Sequence, residues 1–81
     1  MKASSVKKAA KTYSSEQLDA AIAAVMEEER EILEIEGDDM GERLTHLLLA
    51  RRIRGRVDAG ETLKDAFRAE LGAVRETLAN D

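Results

Sequence analysis

The sequence predicts an all-α fold: a small three-helix bundle, built as a helical hairpin plus a third helix, with a basic N-terminal arm. Three observations predict it. The composition is helical: Ala, Glu, Leu, Arg and Lys dominate, Pro and Cys are absent, and one Tyr and one Phe are the only aromatics. Apolar residues recur at helical spacing in three separate stretches. Capping and turn residues stand between those stretches, at Ser14, at Gly37, Asp38 and Asp39, and at Asp58, Ala59 and Gly60.

At 81 residues the chain has room for one small domain. Such a domain buries only about 60–65% of its unfolded surface. With no Cys there is neither a disulfide nor a zinc ribbon to staple it. Stability must come from an aliphatic core or from association with a partner. The expected division is a flexible basic arm over residues 1–13 and a single three-helix domain over residues 14–81.

Within the arm, Val6, Ala9, Ala10 and Tyr13 have helical spacing, but the stripe is mostly Ala and offers little to bury. A weakly ordered arm is the first expectation and a two-turn helix docked on the body the second. The first long helix is expected to start at Ser14, which forms a capping box with Gln17, with Tyr13 and Leu18 as a hydrophobic staple. Its apolar face reads Leu18, Ala21, Ile22, Val25, Met26, Ile32 and Leu33, and it is expected to end near Glu36 with Gly37 as its left-handed cap.

The middle helix is expected from Asp39, capped with Glu42 at box spacing, to about Val57. At about 100° per residue, Met40, Leu44, Leu47 and Leu48 fall on one side and Leu49, Ile53 and Val57 on nearly the other. Two apolar sides call for two packing partners, so this helix is expected at the centre. The third helix opens at Thr62 with Asp65 and carries Leu63, Ala66, Phe67, Leu71, Val74 and Leu78 on one face.

The charge is segregated. Four Lys make residues 1–13 basic, nine acids make residues 27–45 strongly acidic, and Arg51, Arg52, Arg54 and Arg56 make residues 46–56 basic, within a net charge of −4. Glu29, Arg51 and Glu70 fall on or beside apolar stripes, where an unpaired charge is costly. An ion pair between Glu29 and Arg51 is therefore expected, from the register of a hairpin turning near Asp38.

Nothing in the sequence specifies a reaction. His46 is the only His, and four residues after Glu42 it reads better as a partly exposed helical side chain than as a general base. A Glu-x-x-His metal pair is absent because Arg43 stands three residues before His46. No enzyme activity, cofactor, metal or small-molecule ligand is expected. No apolar run approaches the ~18 residues that span a bilayer. The N-terminus lacks a signal-peptide core and has no Arg of a transit peptide. A cytoplasmic location is expected.

The functional expectation is a non-enzymatic protein–protein interaction module, a small regulatory or accessory protein working through apolar helix faces and segregated charge. Ile32, Leu33, Ile35, Leu47, Leu48, Leu49 and Ile53 are the expected interface, with a second copy in a homodimer or a helical partner against it. The alternative is a small DNA-binding transcriptional regulator contacting phosphates through Lys7, Lys8, Lys11, Arg51, Arg52, Arg54 and Arg56. Against it stand the acidic net charge and a turn after Val57 that comes late for a recognition helix.

Overall fold

The middle helix is the element on which the others pack. A computed structural model describes the backbone of residues 2–79 and the side chains of residues 2–72. It contains helices α1 (Ala3–Thr12), α2 (Ser15–Glu28), α3 (Met40–Asp58) and α4 (Leu63–Ala79), arranged as a small all-helical bundle. Helices α1, α2 and α4 each lie against α3, and α1 also touches α4. Among the described residues, α2 packs on α3 alone and does not reach α4.

The caps form much as the sequence predicts. Ser14 Oγ accepts from Gln17 N–H and Gln17 Oε1 accepts from Ser14 N–H, closing the capping box of α2. Asp39 Oδ1 accepts from Glu42 N–H at 2.8 Å to start α3. Thr62 Oγ1 accepts from Asp65 N–H at 3.1 Å just before α4. Val74 and Leu78, expected on the α4 stripe, lie outside the described side chains.

Two expectations about the N-terminal half are corrected. Residues 3–12 are a docked helix, the second of the two expectations, rather than a flexible arm, with Ser5, Val6, Ala9 and Ala10 buried. The small Ala side chains bury little area each, but they let this helix come close. Its N-cap residue, Lys2, makes no side-chain cap, so tertiary packing holds α1 where local signals do not.

Helix α2 stops at Glu28, well short of Glu36. Glu27, Glu28, Glu29 and Glu31 crowd negative charge onto its C-terminal end, against the helix dipole. Glu27 and Glu31 would also repel at i,i+4 if the helix continued. The chain turns out through Glu29 in the left-handed region (φ 53, ψ 33), and Arg30 N–H closes back on the Ala24 carbonyl at 3.1 Å. Residues 29–39 then cross the bundle without regular structure. Ile35 is buried there, Leu33 packs on the core, and Tyr13 Oη donates to the Glu34 carbonyl at 3.1 Å. Gly37 ends no helix; it lets the crossing segment lie against α3, where an added Cβ would come within 2.6 Å of Arg43 Cγ.

Burial on α3 centres between the two expected stripes rather than on them. His46, Leu47, Ala50 and Ile53 are its buried residues, Leu44, Leu49 and Val57 are half-buried, and Leu48 faces out. One broad arc serves three neighbours. That is why the pattern read from sequence splits into two sides.

Candidate interaction surface

The register between α2 and α3 is fixed by two pairs. Ser15 Oγ donates to Asp58, and Arg51 Nε donates to Asp19 Oδ1 at 2.6 Å. The helices are therefore antiparallel. The same register sets Ile22 across from Leu48, and Met26 across from Leu44. The expected Glu29–Arg51 pair does not form: Arg51 is taken by Asp19, and the early end of α2 leaves Glu29 exposed at the helix cap.

Every Arg of the basic run has a carboxylate of its own chain. Arg52 and Arg56 both donate from Nε to Glu70, at 3.1 and 2.9 Å, and this carboxylate on the α4 stripe is 6% exposed. Two charge-assisted bonds explain how it sits there. Arg54 lies 3.3 Å from Asp58 one turn on, and Arg56 also reaches Glu61. On α1, Lys8 pairs with Glu36 and Lys7 lies 5.7 Å above the Phe67 ring, while Lys11 is exposed in the last turn. The residues expected to meet phosphate are thus spread over two helices, and most already contact groups of this chain.

The expected interface divides in three. Ile35, Leu47 and Ile53 are core and present nothing to a partner; Leu33 and Leu49 are half-buried and pack on that core. Only Ile32 and Leu48 face out, at 46% and 45% exposed, and the structure adds Met26 at 67% and Met40 at 37%. The spacing of Met26 fits the α2 stripe, but its side chain lies at that stripe's edge, beyond Ile22.

His46 departs from expectation as well. Its side chain is fully buried, not partly exposed. Nδ1 lies 2.6 Å from the Glu36 carbonyl and Nε2 lies 3.3 Å from the Lys2 backbone N–H. A carbonyl can only accept and an amide can only donate, so the network assigns the proton to Nδ1 and leaves Nε2 as acceptor. The ring bolts the start of α1 and the crossing segment to α3. Glu42 Oε1 stands 3.8 Å from Nε2. No local pattern in the sequence signals this role, because both partners are backbone groups of distant residues.

A cleft of about 280 Å³ beside His46 is lined by Lys2, Ser4, Ser5, Glu36, Gly37, Asp38 and Glu42. Both imidazole nitrogens are already engaged, and Ser5 Oγ is bonded to Glu36 Oε2 at 2.8 Å. A second cleft of about 250 Å³ lies between α1 and the crossing segment, with Thr12, Tyr13 and Ile35 in its wall. Among the described residues no three His, Asp or Glu side chains are grouped so as to hold a metal ion. No helix among them is long and apolar enough to cross a membrane.

Two carboxylates of the crossing segment carry its docking. Arg43 donates to both oxygens of Glu31, and those bonds hold the Glu31 carboxyl below the usual range. The Ser5 hydroxyl, then Lys8, does the same for Glu36. A lowered carboxyl contributes stability that is complete above its unfolded value of about 4.3 and is lost as pH falls through its folded value. The melting temperature is therefore expected to hold level down to about pH 5 and to fall below it. Glu36→Gln should lower the neutral-pH melting temperature and flatten the acid limb in thermal unfolding scans. An unchanged acid limb would remove Glu36 from this role.

Residues 1–79 match the DUF6952 model, a family of unknown function. The chain belongs to this family. No curated protein and no solved structure matches the chain. Membership covers all four helices, so the packing of α1 on α3 and the crossing segment fall inside the family's span.

Proposed function

We propose that this protein is a non-enzymatic helical interaction module, a small regulatory protein of the cytoplasm that binds another protein surface through the outer sides of α2 and α3. One observation carries the reading. Met26 on α2 and Met40 and Leu48 on α3 are exposed large apolar side chains, and Ile32 of the crossing segment is a fourth. The register of α2 on α3 sets Met26 across from Leu44, one helical turn from Leu48, and the acidic residues Glu27, Glu28, Glu29 and Glu31 follow Met26 in the chain. Apolar side chains would anchor a partner and the charges would set its orientation.

The basic run supports this reading over contact with DNA. A phosphate meeting Arg51, Arg52, Arg54 or Arg56 would have to displace or share a carboxylate already in place. A binder driven by phosphate contacts weakens steeply as salt rises. No such salt-steep shift of duplex DNA is expected in gel retardation at low salt.

The test is photo-crosslinking in the producing cell, with the reactive side chain at Leu48 in one variant and at Lys64 in another. Lys64 is exposed at the start of α4, away from the proposed surface. A discrete adduct at Leu48 and none at Lys64 supports the proposal. No adduct at Leu48, or equal adducts at both positions, removes it.

A further inference from the structure

Helices α2 and α4 both pack on α3 but do not meet among the described residues, so a strip of α3 between them is uncovered. At about 100° per residue, Gly41, Leu48 and Gly55 fall on one line along that strip. Gly41 and Leu48 are exposed and Gly55 is half-buried. The two glycines lie seven residues before and seven after Leu48. Glycine inside a helix is unfavourable by roughly 1 kcal/mol relative to Ala. Gly55 is such a residue, half-buried beneath the Arg51 guanidinium, and Gly41 stands exposed in the first turn of α3.

The charge along α3 changes sign at the same point. Asp38, Asp39 and Glu42 against Arg43 leave its start net negative, and Arg51, Arg52, Arg54 and Arg56 against Asp58 leave the end after Leu48 net positive. We propose that the occupant of this strip is a second copy of the same chain, with α3 packed antiparallel on its partner's α3 about a two-fold axis at Leu48. This rests on the interaction reading above and names the partner.

The geometry is self-complementary. A two-fold at Leu48 sets Gly41 of one copy against Gly55 of the other, where neither helix has a β-carbon and the Arg51 guanidinium, 2.9 Å from where a Gly55 Cβ would stand, is the side chain to be accommodated. It also sets the acidic start of each α3 beside the basic end of the other, where the arginines keep their own carboxylates and the long-range fields of the two ends are opposite in sign. A parallel pair would stack acid on acid and base on base. Arg52 keeps 69% of its side chain in solvent while bonded to Glu70, so it has donors left for a carboxylate across the axis. An unrelated partner would have no reason to match a pattern symmetric about one residue. Leu48 at the axis meets its own copy and supplies the central apolar contact.

The chain has no Cys, so single-Cys variants report without background. Sedimentation equilibrium should give a mass near twice the 8.9 kDa of one chain at high concentration. Leu48→Asp should raise the dissociation constant by roughly a hundredfold, with helical circular dichroism unchanged. Under mild oxidation, Leu48→Cys should link to itself. An equimolar mixture of Gly41→Cys and Gly55→Cys should link between the two variants. Neither glycine variant should link alone, since like positions would stand about 21 Å apart along the axis at 1.5 Å per residue. Self-linking by Gly41→Cys alone, or no preference for the mixed pair, overturns the antiparallel arrangement. A monomer mass at every concentration overturns self-association altogether. The cellular cross-link at Leu48 then tests the interaction reading separately.

Discussion

Replacing Ile53 by Ala is expected to remove a large share of the stability of this domain. Ile53 is fully buried on α3, in the core cluster that also takes residues from α1, α2 and α4. Deleting such a side chain costs about 2–5 kcal/mol, part from lost transfer energy and part from the cavity left behind. A chain of this length has on the order of 4–12 kcal/mol in total. The melting temperature should fall by roughly 8–40 °C, since each kcal/mol moves a domain of this size by about 4–8 °C. Leu48→Ala makes the comparison, because Leu48 is equally aliphatic, sits on the same helix and faces out. In the monomer it should cost no more than about 0.5 kcal/mol. Urea unfolding of the two variants at low protein concentration, followed by circular dichroism, measures the difference. Equal losses would mean that α3 is not the shared centre of the core.

The contrast between those two aliphatic positions also shows what the sequence could and could not reveal. That α3 is central was legible, because apolar residues on more than one side of a helix have no other simple use. Its limits were legible too, since Asp39 and the turn through Asp58, Ala59 and Gly60 act over a few residues. The sequence did not show which of Leu47, Leu48 and Leu49 is bare. That depends on where α2 and α4 leave a gap, which is a property of the assembled bundle.

Long-range pairing hid the rest. Glu70 on an apolar stripe signals a paired carboxylate, and the pairing is there, but its partners Arg52 and Arg56 lie on another helix. The basic run reads as a surface for anions because its charges are adjacent in sequence, while their counter-charges at Asp19 and Glu70 are not. The end of α2 was hidden for a different reason. Apolar spacing continues through Ile32 and Leu33, and on paper it outweighs the cost of four carboxylates at a helix C-terminus. In the fold that cost prevails, and the same two residues serve the crossing segment instead.

His46→Ala is expected to have the second large effect, and a local one. The ring is fully buried, so its removal leaves a cavity and also strips the Glu36 carbonyl and the Lys2 amide of their partner. The cavity costs about 2–5 kcal/mol, while the two backbone groups belong to exposed residues beside an open cleft, where water takes the place of the ring. The loss should not be shared evenly. Helix α1 has no side-chain cap, its buried residues beyond Val6 are Ser5, Ala9 and Ala10, and its other polar ties run to Glu36 and Glu34, in the segment that His46 also holds. Helices α2 and α3 keep their own caps and the Asp19–Arg51 pair. Amide exchange should therefore speed up first in residues 3–12 and 33–37, while the centre of α3 exchanges near its original rate. His46→Leu separates the two contributions, since it fills most of the volume and restores neither bond. If α1 exchanges as slowly in His46→Ala as in the parent chain, the ring is a space-filler and the docking of α1 rests on Val6, its alanines and its ties to Glu36, Glu34 and Phe67.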